Sequence, residues 1–251
     1  MPDAPYDALA EVYDWLVPDE LMTPQGSVAA FGDVVRVLEP DARVLDCAAG
    51  TGQLAVGLAR RGFDVVATDR SGAMVARTRA LAAEHGAAVR ALKLAWDELA
   101  GAGWQGVFAA VFCVGNSLVH AAGVAARRDA LAAMAGVLRR GGLLVVTSRN
   151  WERLRDAGWR LEVGERLVER HGTTGLPIHA WTSTGDWDER HEADVAVALL
   201  DGGAVTTRGE RLALWPFTHE ALHEDLAAAG LRPERSTYAP DAERYLVTAR
   251  R

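Results

Sequence analysis

Between Arg43 and Ser148 the chain alternates short β-branched runs with alanine- and leucine-rich stretches. A parallel sheet with helices on its faces accommodates that alternation. Arg43 to Cys47 predicts a first strand, Leu54 to Arg61 a helix, and Asp64 to Thr68 a second strand ending at Asp69. Gly72 to His85 reads as a helix and Val89 to Leu94 as a third strand. Gly106 to Val114 is a fourth strand, apolar throughout as expected when both faces are covered. Ala125 to Leu138 is a helix, Arg139 to Gly142 a turn, and Leu143 to Ser148 a fifth strand.

The pattern changes after Arg149. From about Trp159 to Trp215, near-alternating segments split by Gly and Asp turns predict antiparallel strands, among them Arg166–Arg170, Ile178–Thr184, Ala193–Leu200 and Arg208–Leu214. Thr218 can then cap a helix to Ala229, Gly230 ends it, and strands near Arg235 and over Arg244–Ala249 finish the chain. The expected fold is α/β: a Rossmann-like, doubly wound, mostly parallel seven-stranded sheet with a C-terminal antiparallel β insertion. It is read as one domain over 1–251. Within it are a helical cap at 1–40, a cofactor-binding core at 41–150, the insertion at 159–215, and a final helix and strands at 216–251.

Charge and composition exclude several classes. Among 251 residues, 27 Lys plus Arg stand against 34 Asp plus Glu, a formal net charge of −7. A broad basic surface for nucleic acid is therefore excluded, although one local arginine can still hold a small anion. No window approaches the roughly 18 uninterrupted apolar residues of a spanning helix. The first residues lack the basic and apolar regions of a signal peptide, and Cys47 and Cys113 sit inside apolar runs. A cytoplasmic protein with a small-molecule substrate and no nucleic-acid or membrane partner is expected, with self-association left open.

Val44-Leu45-Asp46-Cys47-Ala48-Ala49-Gly50-Thr51-Gly52 carries the most chemical information. A strand that ends in a small-residue turn before a helix lets a ligand approach the backbone closely. Asp69, at the next strand's end, can accept both ribose hydroxyls of an adenosine. Gly50-Thr51-Gly52-Gln53-Leu54-Ala55 also fits G-x-G-x-x-A, so a nucleotide-dependent oxidoreductase using nicotinamide or flavin stands as an alternative. Asp46 tilts against it, because a buried acid there suits an ammonium group and repels a pyrophosphate. No hydride-transfer substrate domain with its own acid–base pair is apparent downstream either.

These residues, with Met74 five positions after Asp69 and Gly141-Gly142 before an apolar strand, resemble the class I S-adenosylmethionine-dependent methyltransferases. Within that class, Cys113-Val114-Gly115-Asn116-Ser117-Leu118-Val119-His120 and Ser148-Arg149-Asn150-Trp151 resemble the glycine/sarcosine N-methyltransferase group. The likeness covers roughly residues 6 to 151. It implies S-adenosyl-L-methionine as cofactor and S-adenosyl-L-homocysteine as product. It further implies that Ala48 and Gly50 line the methionine end by backbone contacts, with Asp46 and Gly52 in the same cofactor site, and that Asp69 binds the ribose. Arg70 and Met74 would flank the adenine with Ala95 and Trp96 opposite, and Val114, Asn116 and His120 would lie by the methyl donor. Arg149 would hold a substrate carboxylate, while Tyr6 and Tyr13 belong to an aromatic segment that folds over the cofactor. Three departures separate this chain from the group's glycine enzyme: no arginine between Val17 and Phe31, Ala95 in place of Asn or Asp, and Leu16 in place of an aromatic.

Methyl transfer from a sulfonium is an in-line displacement that needs alignment and dryness more than acid–base help. An amine acceptor must be neutral, and Asn116, His120 or Tyr13 could take its proton or direct its lone pair. With an oxygen acceptor, a secondary metabolite or small acid, His120 would serve as general base. Cys47 and Cys113, Trp104, Trp159, Trp181, Trp187 and Trp215 read as packing residues. His219 and His223 share one helix face without a third ligand in register, so no metal is expected.

Overall fold

The computed structural model describes residues 5–158, 161–182 and 186–251, so Trp159 of the sequence reading lies outside the described residues. In chain order the elements are α1 (Pro24–Ala29), α2 (Gly32–Val35), β1 (Arg43–Asp46), α3 (Gln53–Arg60), β2 (Asp64–Asp69), α4 (Gly72–Glu84), β3 (Val89–Lys93) and β4 (Phe108–Cys113). There follow α5 (Gly123–Val137), β5 (Leu138–Arg149), α6 (Trp151–Asp156), β6 (Leu161–Val163), β7 (Val168–Arg170), β8 (Thr173–Thr182), β9 (His191–Asp201) and β10 (Ala204–Leu214). Then come α7 (His219–Ala228), β11 (Arg232–Ser236) and β12 (Arg244–Arg250). A 3-10 turn at Ala10–Trp15 precedes them all.

Seven strands form one sheet in the order β11-β12-β5-β4-β1-β2-β3. Strands β1 to β5 run parallel, and β12 and β11 close the edge antiparallel. The order reverses between β1 and β4, where open α/β sheets leave a crevice beyond the carboxyl ends of the strands. Every residue of β4 is buried, which is why its sequence shows no alternation.

A second, antiparallel sheet follows the order β10-β9-β8-β6, with β7 also pairing β8. Strands β8, β9 and β10 fall where alternation predicts them but run longer, β8 from Thr173 and β10 from Ala204, whereas β7 is shorter than the expected Arg166–Arg170 and β6 is a strand the sequence did not signal. The expected turn at Arg139–Gly142 is the one local departure in the core. These residues lie within β5 as a bulge opposite β4, with Gly141 at φ +73°. The glycine provides the left-handed backbone that the bulge needs.

Side-chain caps mark the helix starts that the sequence suggests. Ser71 Oγ accepts from Met74 N at 3.1 Å for α4, and Thr218 Oγ1 from Ala221 N at 3.0 Å for α7. Helices α5 and α7 are joined by the buried Arg127, whose guanidinium meets Asp225 at 2.6 Å, pairs with Asp188, and lies 4.7 Å from the Phe217 ring centroid. Sequence reading found no part of that cluster.

Candidate active site

The crevice beyond β1, β2 and β4 holds a cavity of about 520 Å³, within the range of small-molecule sites. Its wall includes Tyr6, Ala48, Asp69, Arg70, Ala95, Trp96 and His120, seven residues that the sequence places in one site. A smaller cavity of about 80 Å³ adjoins it, walled by Tyr6, Tyr13, Asn116 and Arg149 together with His179, Trp181 and Arg244. Tyr6 belongs to both walls. Asp46, Gly50, Gly52, Met74 and Val114 line neither cavity.

Gly50 and Gly52 do different work in the turn. Gly50 has φ +55°, and a Cβ added there would meet only Tyr13, at 3.9 Å, so its backbone faces open space. Gly52 has φ +93°, and a Cβ would meet Thr78 at 2.8 Å. It is glycine because α4 packs against it, with Thr78 Oγ1 donating to the Gly50 carbonyl at 2.9 Å. Asp69 fastens the turn from the other side: Oδ2 accepts from Gly50 N and Oδ1 from Ser71 N, each at 2.9 Å. Each carboxylate oxygen retains a second lone pair, enough for two ribose hydroxyls. Burial raises the Asp69 carboxyl above its usual range in spite of these bonds.

Asp46 is 1% exposed beneath the turn, and its Oδ1 has no hydrogen-bond partner among the described residues. Burial first, and Asp69 second, push its carboxyl up to about 7. A buried anion in that state is costly until a cation or donor reaches it. Met74 is core, and Val114 packs against the sheet. Trp96 Nε1 donates to the Cys47 carbonyl at 2.7 Å, which fixes the indole across the larger cavity. The Ala95 amide N–H is taken by Glu98 Oε2 at 2.7 Å. That leaves Asp97, also in the wall, as a side-chain acceptor near this edge.

The amino-terminal segment is fastened over the crevice. Tyr6 has φ +71°, a strained value for a non-glycine residue, and its N–H donates to Glu210 Oε1 on β10 at 3.1 Å. Asp14, 2% exposed, takes Arg77 at 2.6 Å and His171 at 2.7 Å. Tyr6 and Tyr13 meet edge to face at 5.7 Å. His120 Nδ1 lies 3.2 Å from the Ala213 carbonyl. A carbonyl only accepts, so Nδ1 carries the hydrogen and Nε2 accepts the Tyr6 hydroxyl at 3.1 Å. Burial first, then the charge of Arg70, pushes His120 down to about 4, so the ring is neutral at neutral pH.

Asn116 sits at φ +68°, and its Oδ1 accepts from Arg149 N at 2.9 Å, tying the ends of β4 and β5 together. Arg149 is steadied by Glu162 at 3.3 Å and by the Trp181 ring at 5.0 Å. Trp181, which the sequence assigns to packing, thus also lines the smaller cavity. His179, Arg244 and Glu210 escaped sequence reading because they lie on strands where the only local signal is alternation. Among the described residues no group of three or more ligating side chains could hold a metal. His219 instead stacks on Tyr238 at 4.3 Å.

Known proteins resemble this chain in both sequence and fold. Residues 44–142 match the methyltransferase domain family. The chain is 37% identical over 153 residues to a glycine/sarcosine N-methyltransferase of Parasynechococcus marenigrum (strain WH8102), covering 60% of this chain and 54% of that protein. It is 32% identical over 128 residues to the human glycine N-methyltransferase, covering 46% and 43%. The chain spans about half the length of the curated relatives it matches. Among solved structures, a sugar N-methyltransferase from a Streptoalloteichus species is 27% identical with a TM-score of 0.68 over 87% of this chain and 84% of that one. An amino pentose methyltransferase from Micromonospora echinaspora, solved with S-adenosylmethionine bound, shares the fold at 24% identity, with a TM-score of 0.72 over 97% of this chain and 96% of that one. The oxidoreductase alternative gives way to these matches: residues 44–142 carry a methyltransferase domain, and the chain is similar in sequence and fold to S-adenosylmethionine-dependent methyltransferases.

Proposed function

We propose that this chain methylates the nitrogen of a small amine whose carboxylate rests on Arg149. The observation that carries the reading is adjacency: Tyr6 lines both cavities, so the smaller one, with Arg149 and Asn116, lies next to the larger one with Asp69 and Trp96. S-adenosylmethionine, when bound, supplies an electrophilic methyl group on a sulfonium. Asp69 would hold the ribose, Asp46 the ammonium, and Arg70, Ala95 and Trp96 the adenine, beside the turn of Ala48, Gly50 and Gly52. Met74 and Val114 support that wall from behind.

The protein's remaining work is to align the acceptor and keep it dry. Burial and the nearby positive charge of Arg149 both disfavour an ammonium, so the acceptor is held in its neutral, nucleophilic form. The Asn116 amide and the hydroxyls of Tyr6 and Tyr13 are the polar groups that can direct its lone pair. An oxygen acceptor would need a base instead. His120 suits that role poorly, since it is pushed down to about 4 and its Nε2 already takes the Tyr6 hydroxyl. The relatives' names agree with nitrogen: glycine and sarcosine in one set, a sugar in the other.

A methyl-release assay over amino acids, small acids and amino sugars tests the reading. Arg149→Ala is expected to raise the acceptor KM by about 10- to 100-fold, the share of a charge-assisted hydrogen bond, with S-adenosylhomocysteine affinity nearly intact. An unchanged KM removes Arg149 from the acceptor site. His120→Phe should lower turnover by less than about tenfold, whereas a loss of two to three orders would point to a general base and an oxygen acceptor.

Asp46 gives the site a pH signature. Its folded pKa of about 7 lies above that of a free carboxyl. The stability it contributes in the ligand-free protein is therefore present at low pH and lost as pH rises through about 7. An ammonium placed against the ionised carboxylate recovers that loss. Binding of S-adenosylhomocysteine should then tighten by up to about tenfold between roughly pH 6 and pH 8, and Asp46→Asn should flatten the profile. Calorimetric titration across that range reads it, and a pH-independent wild-type affinity would separate Asp46 from the ammonium.

A further inference from the structure

Arg244 opens β12 directly opposite Arg149 in the antiparallel register. Residues paired this way project their side chains to the same face of the sheet, and like charges so placed are destabilising. The cost is offset unequally on the two sides. Arg149 has Glu162 and the Trp181 ring, while Arg244 makes no ion pair among the described residues. Both guanidiniums line the smaller cavity, and no carboxylate is in its lining among the described residues. His179 beside them adds no charge, because burial and Arg149 push it down to about 4. Two opposed cations at a small cavity, with Glu162 ion-paired to Arg149 alone and no carboxylate in the lining among the described residues, form an arrangement that an anionic ligand completes.

We propose that Arg244 is the second guanidinium of the acceptor site, gripping the acceptor's acid group together with Arg149 and thereby selecting acidic amines over neutral or purely cationic ones. The inference rests on the reading that the acceptor occupies the smaller cavity, and adds the residue that sets its class. Cavity size agrees. About 80 Å³ is room for a small acid group. The two comparison sets name both kinds of acceptor, and the paired arginines favour the first. A single guanidinium can hold a carboxylate in several orientations, whereas two opposed ones fix its plane and so the direction of the amine.

The test compares wild type, Arg244→Gln and Arg244→Lys on amino acids, the matching amides, and amino sugars lacking an acid. Acetate binding to each protein saturated with S-adenosylhomocysteine is measured alongside by calorimetry. Wild type is expected to favour the acids over the amides by about 100-fold or more in kcat/KM. Arg244→Gln should raise the KM for the acids by about 10- to 100-fold with kcat within about threefold, weaken acetate by a similar factor, and leave the amides unchanged. Arg244→Lys, which keeps the charge, should recover part of the loss and also serves if the glutamine variant fails to fold. Acid KM and acetate binding within about twofold of wild type in Arg244→Gln would overturn the assignment, as would a wild-type protein that does not bind acetate. Amides or amino sugars used as well as acids by wild type would overturn the selection while leaving N-methylation standing. Methyl transfer to no amine, with acetate binding still dependent on Arg244, would instead overturn the proposed function and keep the anion site.

Discussion

Replacing Asp69 with alanine is expected to weaken S-adenosylhomocysteine binding by about a hundredfold or more. Hydrogen bonds to a charged group contribute about 1.5–3 kcal/mol each, and two ribose hydroxyls would depend on this carboxylate. The same change strands the Gly50 and Ser71 N–H groups that Asp69 now accepts. The turn therefore loosens as the ligand contact disappears, and the two contributions need separating. Asp69→Asn does so, since its amide oxygen can still accept one backbone N–H while its NH2 group cannot accept a ribose hydroxyl. If the carboxylate binds the ribose, the asparagine variant keeps most of the thermal stability and still loses most of the affinity. Calorimetric titration beside thermal unfolding reads both quantities, and an asparagine variant within about threefold of wild type would move the ribose elsewhere.

The largest effect on stability is expected at Asp225. Arg127 is 1% exposed and Asp225 equally so, and the aspartate also holds Arg128 at 2.5 Å. Asp225→Ala leaves Arg127 buried with Asp188 as its remaining carboxylate. Breaking a buried pair by removing one partner costs about 3–5 kcal/mol. In a chain of this size that lowers the unfolding midpoint by roughly 6–20 °C. Removing both charges behaves differently, because the desolvation cost of both ions goes with the attraction. Arg127→Met combined with Asp225→Leu is therefore expected to be near neutral or stabilising. Urea unfolding of the single and double variants measures the contrast. A single-variant loss under about 1 kcal/mol would mean that Asp188 alone satisfies Arg127.

The two residues differ in how far the sequence revealed them. Asp69 stands at a fixed distance from a glycine turn, inside one strand–helix–strand unit whose parts touch because they are neighbours in the chain. Asp225 and Arg127 lie on helices separated by the whole antiparallel sheet, and each looks in sequence like one more charge on an alanine-rich helix. The glycines show the same limit at closer range. Both read as room for a ligand, yet only Gly50 faces open space, while Gly52 is closed by Thr78 from the next helix.

The five parallel strands, the capped helices, the acid beneath the glycine turn and the switch to antiparallel texture after Arg149 were all legible in the sequence. They follow from period, turn chemistry and short-range spacing, and those act between residues a few positions apart. Tertiary structure alone decided that Tyr6 bonds His120 and lines two cavities, that His120 is held neutral, and that Arg244 faces Arg149 without an ion pair of its own among the described residues. Those facts depend on burial and on which strand ends meet across the sheet. Both are fixed only when segments remote in the chain pack together, and no local pattern encodes them.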